Sequence, residues 1–257
     1  MNKRLQITHT ASAGVLINIE ETYLGVDLFS KDPDELYPDT PGKLKEELLQ
    51  MIEQGKVQTL LFTHGHGDHF CLEDVMEALG RNPGLTIIST EEVIQRIRKQ
   101  AEVAGYAAGC NLVAIAPTEQ ENRKAELPGI AMELFNSKHM GEQYIDVQNL
   151  AALLEVGGRK LFIPGDAWPT KELFERAARW SEELDLMVAP FPLIGLPTTR
   201  RLIDKSLKVK QILAFHLPRP QKDAQGWAAS AKAVCARAKD GLPMPEFGEV
   251  LGKTYEI

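Results

Sequence analysis

Residues 64–69 read His64-Gly65-His66-Gly67-Asp68-His69 and contain three of the six histidines in this 257-residue chain. They follow the near-continuous apolar run Val57 to Phe62, which predicts a strand covered on both faces. Alternate residues of an extended chain point the same way, so His64 and His66 are expected to face one metal ion. Asp68 and His69 follow as the chain turns towards a predicted helix, and the two glycines leave room for that tight turn.

Three further metal-binding side chains lie at the ends of predicted strands. His139 comes just beyond the strand predicted to end at Phe135, Asp166 follows 160–163, and His216 follows 211–215. Ligands in open α/β sheets collect outside the carboxyl ends of the strands. A purely structural metal site is normally closed by four ligands, whereas this chain offers seven candidates. The pattern therefore favours an open site with two metal ions.

The whole chain alternates between predicted strands and helices, with no repeat, low-complexity tract or clear linker. We therefore predict an α/β (α+β) fold with mixed sheets flanked by helices, built as a single domain over residues 1–257. The principal predicted helices are 42–54, 91–103, 170–180, 198–206 and 223–239.

Bulk composition limits the classes of function. The net charge of −7 argues against a general basic surface for nucleic acid. No window approaches the roughly 18 apolar residues of a membrane span, and the first residues lack the apolar stretch of a signal peptide. The three cysteines form no CxxC pair, which predicts buried reduced thiols rather than a cysteine metal site. We expect a cytoplasmic protein with a small-molecule substrate, no nucleic-acid or membrane partner, and scope for homo-oligomers.

The order of these motifs resembles the metallo-β-lactamase superfamily. The resemblance runs from Asp27 in a strand-end Gly-Val-Asp, through HxHxDH, a later His and a Gly-Asp pair, to His216. It implies a four-layer αββα sandwich with a dinuclear site along one edge. It further implies three ligands for a first metal, three for a second, a bridging aspartate, and a supporting role for Asp27. These are His64, His66 and His139; Asp68, His69 and His216; and Asp166.

The early stretch Ser12-Ala13-Gly14-Val15-Leu16-Ile17 is similar to one in the lactonase and phosphodiesterase-like branch of that superfamily. This chain has Ser12 where a histidine is common in the branch, so any substrate contact made by that histidine is not carried over. His9 does not align with it and is expected to lie on a strand surface or in the core.

We therefore predict a metal-dependent hydrolase with two divalent ions, Zn²⁺ first, with Mn²⁺, Fe²⁺ and Ni²⁺ as alternatives. Asp68 is the candidate catalytic residue, as a group that orients the attacking hydroxide or takes its proton. The formal site charge of about +1 predicts an anionic ester, lactone or phosphoester. The rivals are a non-catalytic metal- or metabolite-binding module, a β-lactamase and a di-iron oxidoreductase. Candidate cations and pocket walls are Lys138, Arg200, Arg201, Arg219, Phe70, Trp168, Tyr37 and the apolar segment 189–197.

Overall fold

The computed structural model describes residues 4–105, 111–116 and 121–257. The chain divides into two compact units, residues 1–120 with 250–256 and residues 121–249 with 257. Each contains one seven-stranded mixed sheet with helices packed against it, so the predicted fold class is confirmed. A single domain over 1–257 stays a prediction.

The strands, in chain order, are β1 (Leu5–His9), β2 (Val15–Ile19), β3 (Thr22–Val26), β4 (Val57–Leu61), β5 (Thr86–Thr90), β6 (Asn111–Ile115), β7 (Arg123–Leu127), β8 (Ile130–Lys138), β9 (Gln148–Val156), β10 (Arg159–Ile163), β11 (Glu183–Pro190), β12 (Lys208–Phe215), β13 (Glu246–Phe247) and β14 (Thr254–Glu256). The helices are α1 (Gly42–Glu53), α2 (Leu72–Arg81), α3 (Glu91–Ala104), α4 (Lys171–Trp180), α5 (Phe191–Gly195), α6 (Pro197–Ser206) and α7 (Trp227–Arg237). A 3₁₀ turn covers Glu142–Tyr144.

The first unit has the strand order β14-β1-β2-β3-β4-β5-β6. Its strands are antiparallel from β14 to β3 and parallel from β3 to β6. The buried faces of α1, α2 and α3 pack with strand residues such as Leu60 and Ile87 into one core. Gly55, which follows the C-cap residue Gln54 of α1, has a φ of +69°, the left-handed conformation that commonly ends a helix.

The second unit repeats this plan with the order β13-β12-β11-β10-β9-β8-β7. It is antiparallel from β7 to β10 and parallel from β10 to β13. Helix α4 buries Leu173, Phe174 and Ala177 against strand residues such as Phe162 and Met187. In each sheet one strand, β3 or β10, therefore separates an antiparallel half from a parallel half.

Three predicted segments differ from the observed ones, the first being the strand predicted to end at Phe135, which continues to Lys138 as β8. The helix predicted over 223–239 begins only at Trp227, because the Asp223 carboxylate accepts hydrogen bonds from the backbone N–H groups of Trp227 and Ala228. An aspartate that satisfies the first N–H groups of a helix lies before it rather than within it. The proline-rich segment 189–197 contains the short helix α5, with Phe191, Leu193 and Ile194 buried.

The cysteines are in part as predicted. Cys71 and Cys235 are buried free thiols, and Cys110 lies outside the described residues. Burial raises the pKa of Cys71 to about 12, so this thiol stays protonated at neutral pH. Among residues 4–105, 111–116 and 121–257, no helix is both long and apolar enough to cross a lipid bilayer.

Candidate metal centre

The first unit positions four candidate ligands in the turn between β4 and α2. His64 and His69 are fully buried, whereas His66 and Asp68 are half-buried. The turn closes through hydrogen bonds from the backbone N–H groups of His69 and Phe70 to the carbonyl oxygen of His66. It therefore presents imidazoles and a carboxylate from a fixed backbone.

Within this turn the donor atoms lie in close pairs. His64 Nε2 and His66 Nδ1 are 3.2 Å apart, and the two rings are nearly perpendicular. Asp68 and His69 also offer ligand atoms within 4.8 Å of one another. The rings of His64 and His69 have centroids 4.1 Å apart. All four side chains thus belong to one cluster of donors at the carboxyl end of β4.

Asp27 anchors this cluster from the end of β3, where it has a φ of +47°. Its Oδ1 accepts a 2.7 Å hydrogen bond from the backbone N–H of Thr63. Its Oδ2 accepts from Thr63 Oγ1 at 2.7 Å and lies 2.8 Å from His69 Nδ1. A carboxylate only accepts, so His69 Nδ1 carries the proton and Nε2 carries the lone pair that a metal needs.

Thr63 extends the same orientation to a second histidine. Its hydroxyl proton is used in the bond to Asp27, so its oxygen accepts from His64 Nδ1 at 3.1 Å. The lone pair of His64 is then on Nε2, the atom that faces His66. Sequence reasoning missed Thr63. The available signal was its position directly between a buried strand and the histidine motif.

Gly67 is required by close packing. A Cβ atom at this position would lie only 2.6 Å from the carbonyl oxygen of Lys31. This oxygen belongs to the backbone, so it cannot rotate away as the end of a flexible side chain could. The Lys31 N–H also donates a 2.7 Å hydrogen bond to the Gly67 carbonyl oxygen. The ligand turn and the loop after β3 are therefore in direct backbone contact.

We expect Gly67→Ala to lower the stability of the protein by about 1–3 kcal/mol, because two backbone segments must move apart. The shift also displaces Asp68 and His69, so metal affinity should fall with it. Thermal unfolding and metal titration measure the two effects. Gly42→Ala is the matched control, since a Cβ there meets nothing within 4 Å. Equal behaviour of the two variants would contradict this packing argument.

The second unit places its three candidate ligands after three different strands. His139 follows β8, Asp166 follows β10 and His216 follows β12, and all three are buried. Asp166 Oδ2 lies 3.3 Å from His216 Nε2 and 3.7 Å from His139 Nε2. His216 has a φ of +62°, a conformation that costs free energy in a non-glycine residue and is common at functional sites. The three side chains form one cluster at the carboxyl end of the sheet.

Asn149 holds two parts of this second cluster together. It is fully buried in β9, its Oδ1 accepts a 3.0 Å hydrogen bond from the Asp166 N–H, and its Nδ2 donates to Ser137 Oγ and the Pro164 carbonyl. His139 Nδ1 lies 2.6 Å from the carbonyl oxygen of Met140, so Nδ1 is protonated and Nε2 carries the lone pair. Asn149 was missed in sequence reasoning because a buried amide in a strand has no distinctive spacing.

The remaining candidates have varied positions. Phe70 is buried and packs edge-to-face on Phe62, which makes it a core residue. His9 is buried in β1 with Nε2 at 3.2 Å from the Ser12 carbonyl, and burial lowers its pKa. Tyr144, which the sequence did not indicate, lies against His139 with ring centroids 5.1 Å apart.

The candidate cation Arg200 lies within the helix predicted over 198–206 and is paired inside the fold. Arg200 is in α6, is only 2% exposed, and donates two hydrogen bonds of 2.7 and 2.8 Å to the Asp240 carboxylate. This guanidinium holds the pKa of Asp240 below its ordinary value. Arg201 is also in α6, Lys138 ends β8, and Arg219 is half-buried after β12.

Comparison with solved structures gives the fold. YhfI from Bacillus subtilis, described as a metallo-β-lactamase fold protein, has a TM-score of 0.65 and 15% identity, covering 99% of each chain. The chain has the metallo-β-lactamase fold. A second example of likeness is Igni18, a metallo hydrolase from Ignicoccus hospitalis, with a TM-score of 0.58, 15% identity, and coverage of 99% of this chain and 98% of that one.

The same fold also occurs in a protein with different chemistry. CmlA from Streptomyces venezuelae, a diiron β-hydroxylase, matches with a TM-score of 0.60 and 12% identity, over 100% of this chain and 54% of its own. No protein-family model matches the sequence, and no curated protein sequence matches it significantly. At these identities the comparisons establish the metallo-β-lactamase fold, and the activity has to be inferred from the site residues.

Proposed function

We propose that this chain is a metal-dependent hydrolase whose seven donor side chains hold two divalent metal ions in one centre. The observation that carries the proposal is the position of Asp166. Its Oδ2 lies 3.3 Å from His216 Nε2 and 3.7 Å from His139 Nε2, so one carboxylate oxygen lies beside two imidazoles. That position suits a carboxylate shared by two cations.

The proposed ligand sets combine donors of both units. His64, His66 and His139 would hold the first ion, and Asp68, His69 and His216 the second, with Asp166 between them. The proposal is supported by the close pairing of His64 with His66 and of Asp68 with His69 in the ligand turn.

Two features of the histidines favour metal binding over ordinary core packing. Asp27 and the Met140 carbonyl fix the protons of His69 and His139 on Nδ1, the arrangement that metal-binding histidines use. The 3.2 Å separation of His64 Nε2 and His66 Nδ1 is close to the roughly 3.3 Å expected for two nitrogens about 2.0–2.1 Å from one tetrahedral ion. The donor set of imidazoles and carboxylates fits Zn²⁺ first, with Mn²⁺, Fe²⁺ or Ni²⁺ as alternatives.

When bound, two divalent ions lower the pKa of a water and polarise a scissile carbonyl or phosphoryl group. The half-buried Asp68 would orient the attacking oxygen and take up its proton. Asp27 would keep His69 in its metal-binding tautomer, and Asn149 would keep Asp166 in place. These residues supply positioning and proton transfer, the parts of the chemistry that the protein itself provides.

We further propose an anionic substrate, such as a phosphate ester or a carboxylate-bearing lactone. The formal charge of the loaded site is about +1. Arg219, half-buried just after His216, adds a cation on the same segment. Tyr144, which packs on His139, would form an aromatic wall for the substrate.

Arg219→Ala is expected to raise KM by about 5- to 20-fold for anionic substrates, because one charged contact is lost. For neutral substrates KM should change less than about 2-fold, and kcat should be largely retained for both. Steady-state kinetics with a matched pair, one charged and one neutral ester of the same leaving group, measure this. An equal rise for both members of the pair would argue against charge recognition by Arg219.

The proposed function is tested by reconstituting metal-free protein with Zn²⁺, Mn²⁺, Fe²⁺ or Ni²⁺. Metal per chain is counted, and lactones, phosphodiesters, phosphomonoesters, thioesters and β-lactams are screened. We expect two ions per chain and turnover of at least one class, lost in Asp68→Asn. One ion per chain with no turnover would instead support a non-catalytic metal- or metabolite-binding module.

A second candidate function is redox chemistry at a di-iron centre. The observation that favours it is the likeness to CmlA, a diiron β-hydroxylase with the same fold. Iron-loaded protein that absorbs visible light and consumes dioxygen with a reductant, while zinc-loaded protein is inert towards every ester, would favour this candidate over hydrolysis.

A further inference from the structure

Helices α6 and α7 of the second unit both pack against α5, and they line a common groove. The groove has a volume of about 540 Å³, within the range of small-molecule sites. It is lined by one face of each helix and by the segment that follows α7. We call it the α6–α7 groove. It shares no residue with the seven candidate metal ligands.

The charges around this groove are strongly positive. Its lining contains four cationic side chains, Arg200, Arg201, Arg237 and Lys239, but only two acidic ones, Asp204 and Asp240. Arg200 is neutralised by its two hydrogen bonds to Asp240. In a chain of net charge −7, this local excess runs against the overall balance.

The three other cations are available to a ligand. Arg201, Arg237 and Lys239 are exposed, and none of them forms an ion pair with a residue that the structure describes. Cationic side chains on neighbouring elements repel one another when no acidic side chain lies between them. A bound anion offsets this repulsion. The groove therefore has the electrostatics of an anion site.

The rest of the lining is apolar or small. Pro197 of α6 and Ala233 and Val234 of α7 line the groove, together with Ala238 beyond α7. An inorganic ion would leave this surface without a partner. A ligand with an apolar body and an anionic group would cover both parts of the lining.

The groove is held open at one end by two contacts between α6 and the segment after α7. The Arg200 pair with Asp240 ties α6 to the segment after α7, with both partners largely shielded from water. Asp204 Oδ1 accepts a 3.0 Å hydrogen bond from the Gly241 N–H at the same end. A site that is formed before the ligand arrives avoids the cost of ordering it on binding.

We propose that the α6–α7 groove is a second binding site, for a small organic anion with an apolar body. Arg201, Arg237 and Lys239 bind the anionic group, and the α7 face around Val234 covers the apolar part. The site does not depend on the proposed hydrolase activity, because its residues are separate from the candidate ligands. It offers a place for an effector or an anionic product.

The probe is 8-anilinonaphthalene-1-sulfonate, an apolar fluorophore with one anionic group, added to the full-length metal-loaded protein. N-Phenyl-1-naphthylamine serves as its neutral counterpart. We expect saturable binding of the sulfonate at one site per chain. The double variant Arg201→Gln/Arg237→Gln should weaken it by about 10-fold or more and change binding of the neutral dye less than about 2-fold.

Two further variants separate this site from general effects. Arg179→Gln/Lys205→Gln makes the same change in net charge at exposed positions outside the lining and should leave the affinity within about 2-fold. Ser230→Trp, at an exposed lining position of α7, should block the sulfonate by filling the groove. Unchanged binding in Ser230→Trp, or equal weakening in both double variants, would overturn the proposal.

Discussion

Asp166→Asn is expected to reduce hydrolysis on the order of 10³-fold or more and to lower the metal content from two ions per chain to about one. The side chain lies between His139 and His216, so its carboxylate would serve both ions, and a neutral amide removes the charge without changing the shape. Metal counting and steady-state kinetics on the same preparations measure the two losses together.

The control for this variant is Asp146→Asn, which removes an exposed carboxylate from the loop between β8 and β9. It should retain both ions and full activity. The Asp166 backbone keeps its hydrogen bonds to Asn149 and Met140 in the variant, so the metal-free proteins should unfold at similar temperatures. Two ions per chain with undiminished turnover in Asp166→Asn would show that Asp166 is not a ligand of the proposed centre.

Asp27→Asn is expected to weaken metal binding about 10- to 100-fold although Asp27 touches no metal in the proposal. Asparagine has one accepting and one donating atom, whereas Asp27 accepts from both the Thr63 N–H and His69 Nδ1. If the amide nitrogen faces His69, the imidazole proton must move to Nε2, the proposed ligand atom. If it faces Thr63 instead, two donors meet in a buried site.

The decisive readout for Asp27→Asn is the tautomer of His69, which nitrogen NMR of the metal-free protein reports. A shift of the proton from Nδ1 to Nε2 together with weaker metal binding identifies Asp27 as a positioning residue. Asp34→Asn, at an exposed position in the loop after β3, is the matched control and should change neither. Weaker stability with an unchanged tautomer and unchanged affinity would reduce Asp27 to a structural role.

The sequence predicted those parts of the molecule that depend on local pattern. The run 57–62 and the spacing of leucines in 42–54 correspond to β4 and α1 within a residue or so. Candidate ligands were found because each follows a strand that the apolar pattern marks clearly. The fold class followed from the alternation of such elements.

The parts that sequence reasoning missed depend on contacts with distant segments. β7 reads Arg123-Lys124-Ala125-Glu126-Leu127, and its charges suit an exposed edge strand that gains its conformation from pairing with β8. The short strands β13 and β14 likewise show no alternating apolar pattern in the sequence. Each is a strand because it pairs with a longer neighbour, β13 with β12 and β14 with β1. Thr63, Asn149 and the Arg200 pair are hydrogen-bonding arrangements, which residue spacing does not encode.

Strand β14 has a consequence for how the chain assembles. It pairs with β1, so the two edges that meet there come from opposite ends of the described sequence, Leu5–His9 and Thr254–Glu256. During ribosomal synthesis the outer edge of β1 therefore keeps its backbone N–H and C=O groups unpaired until the whole segment between β1 and β14 has been made. An exposed edge strand can pair with strands of other chains, so chaperone protection of the nascent protein would matter most in that interval.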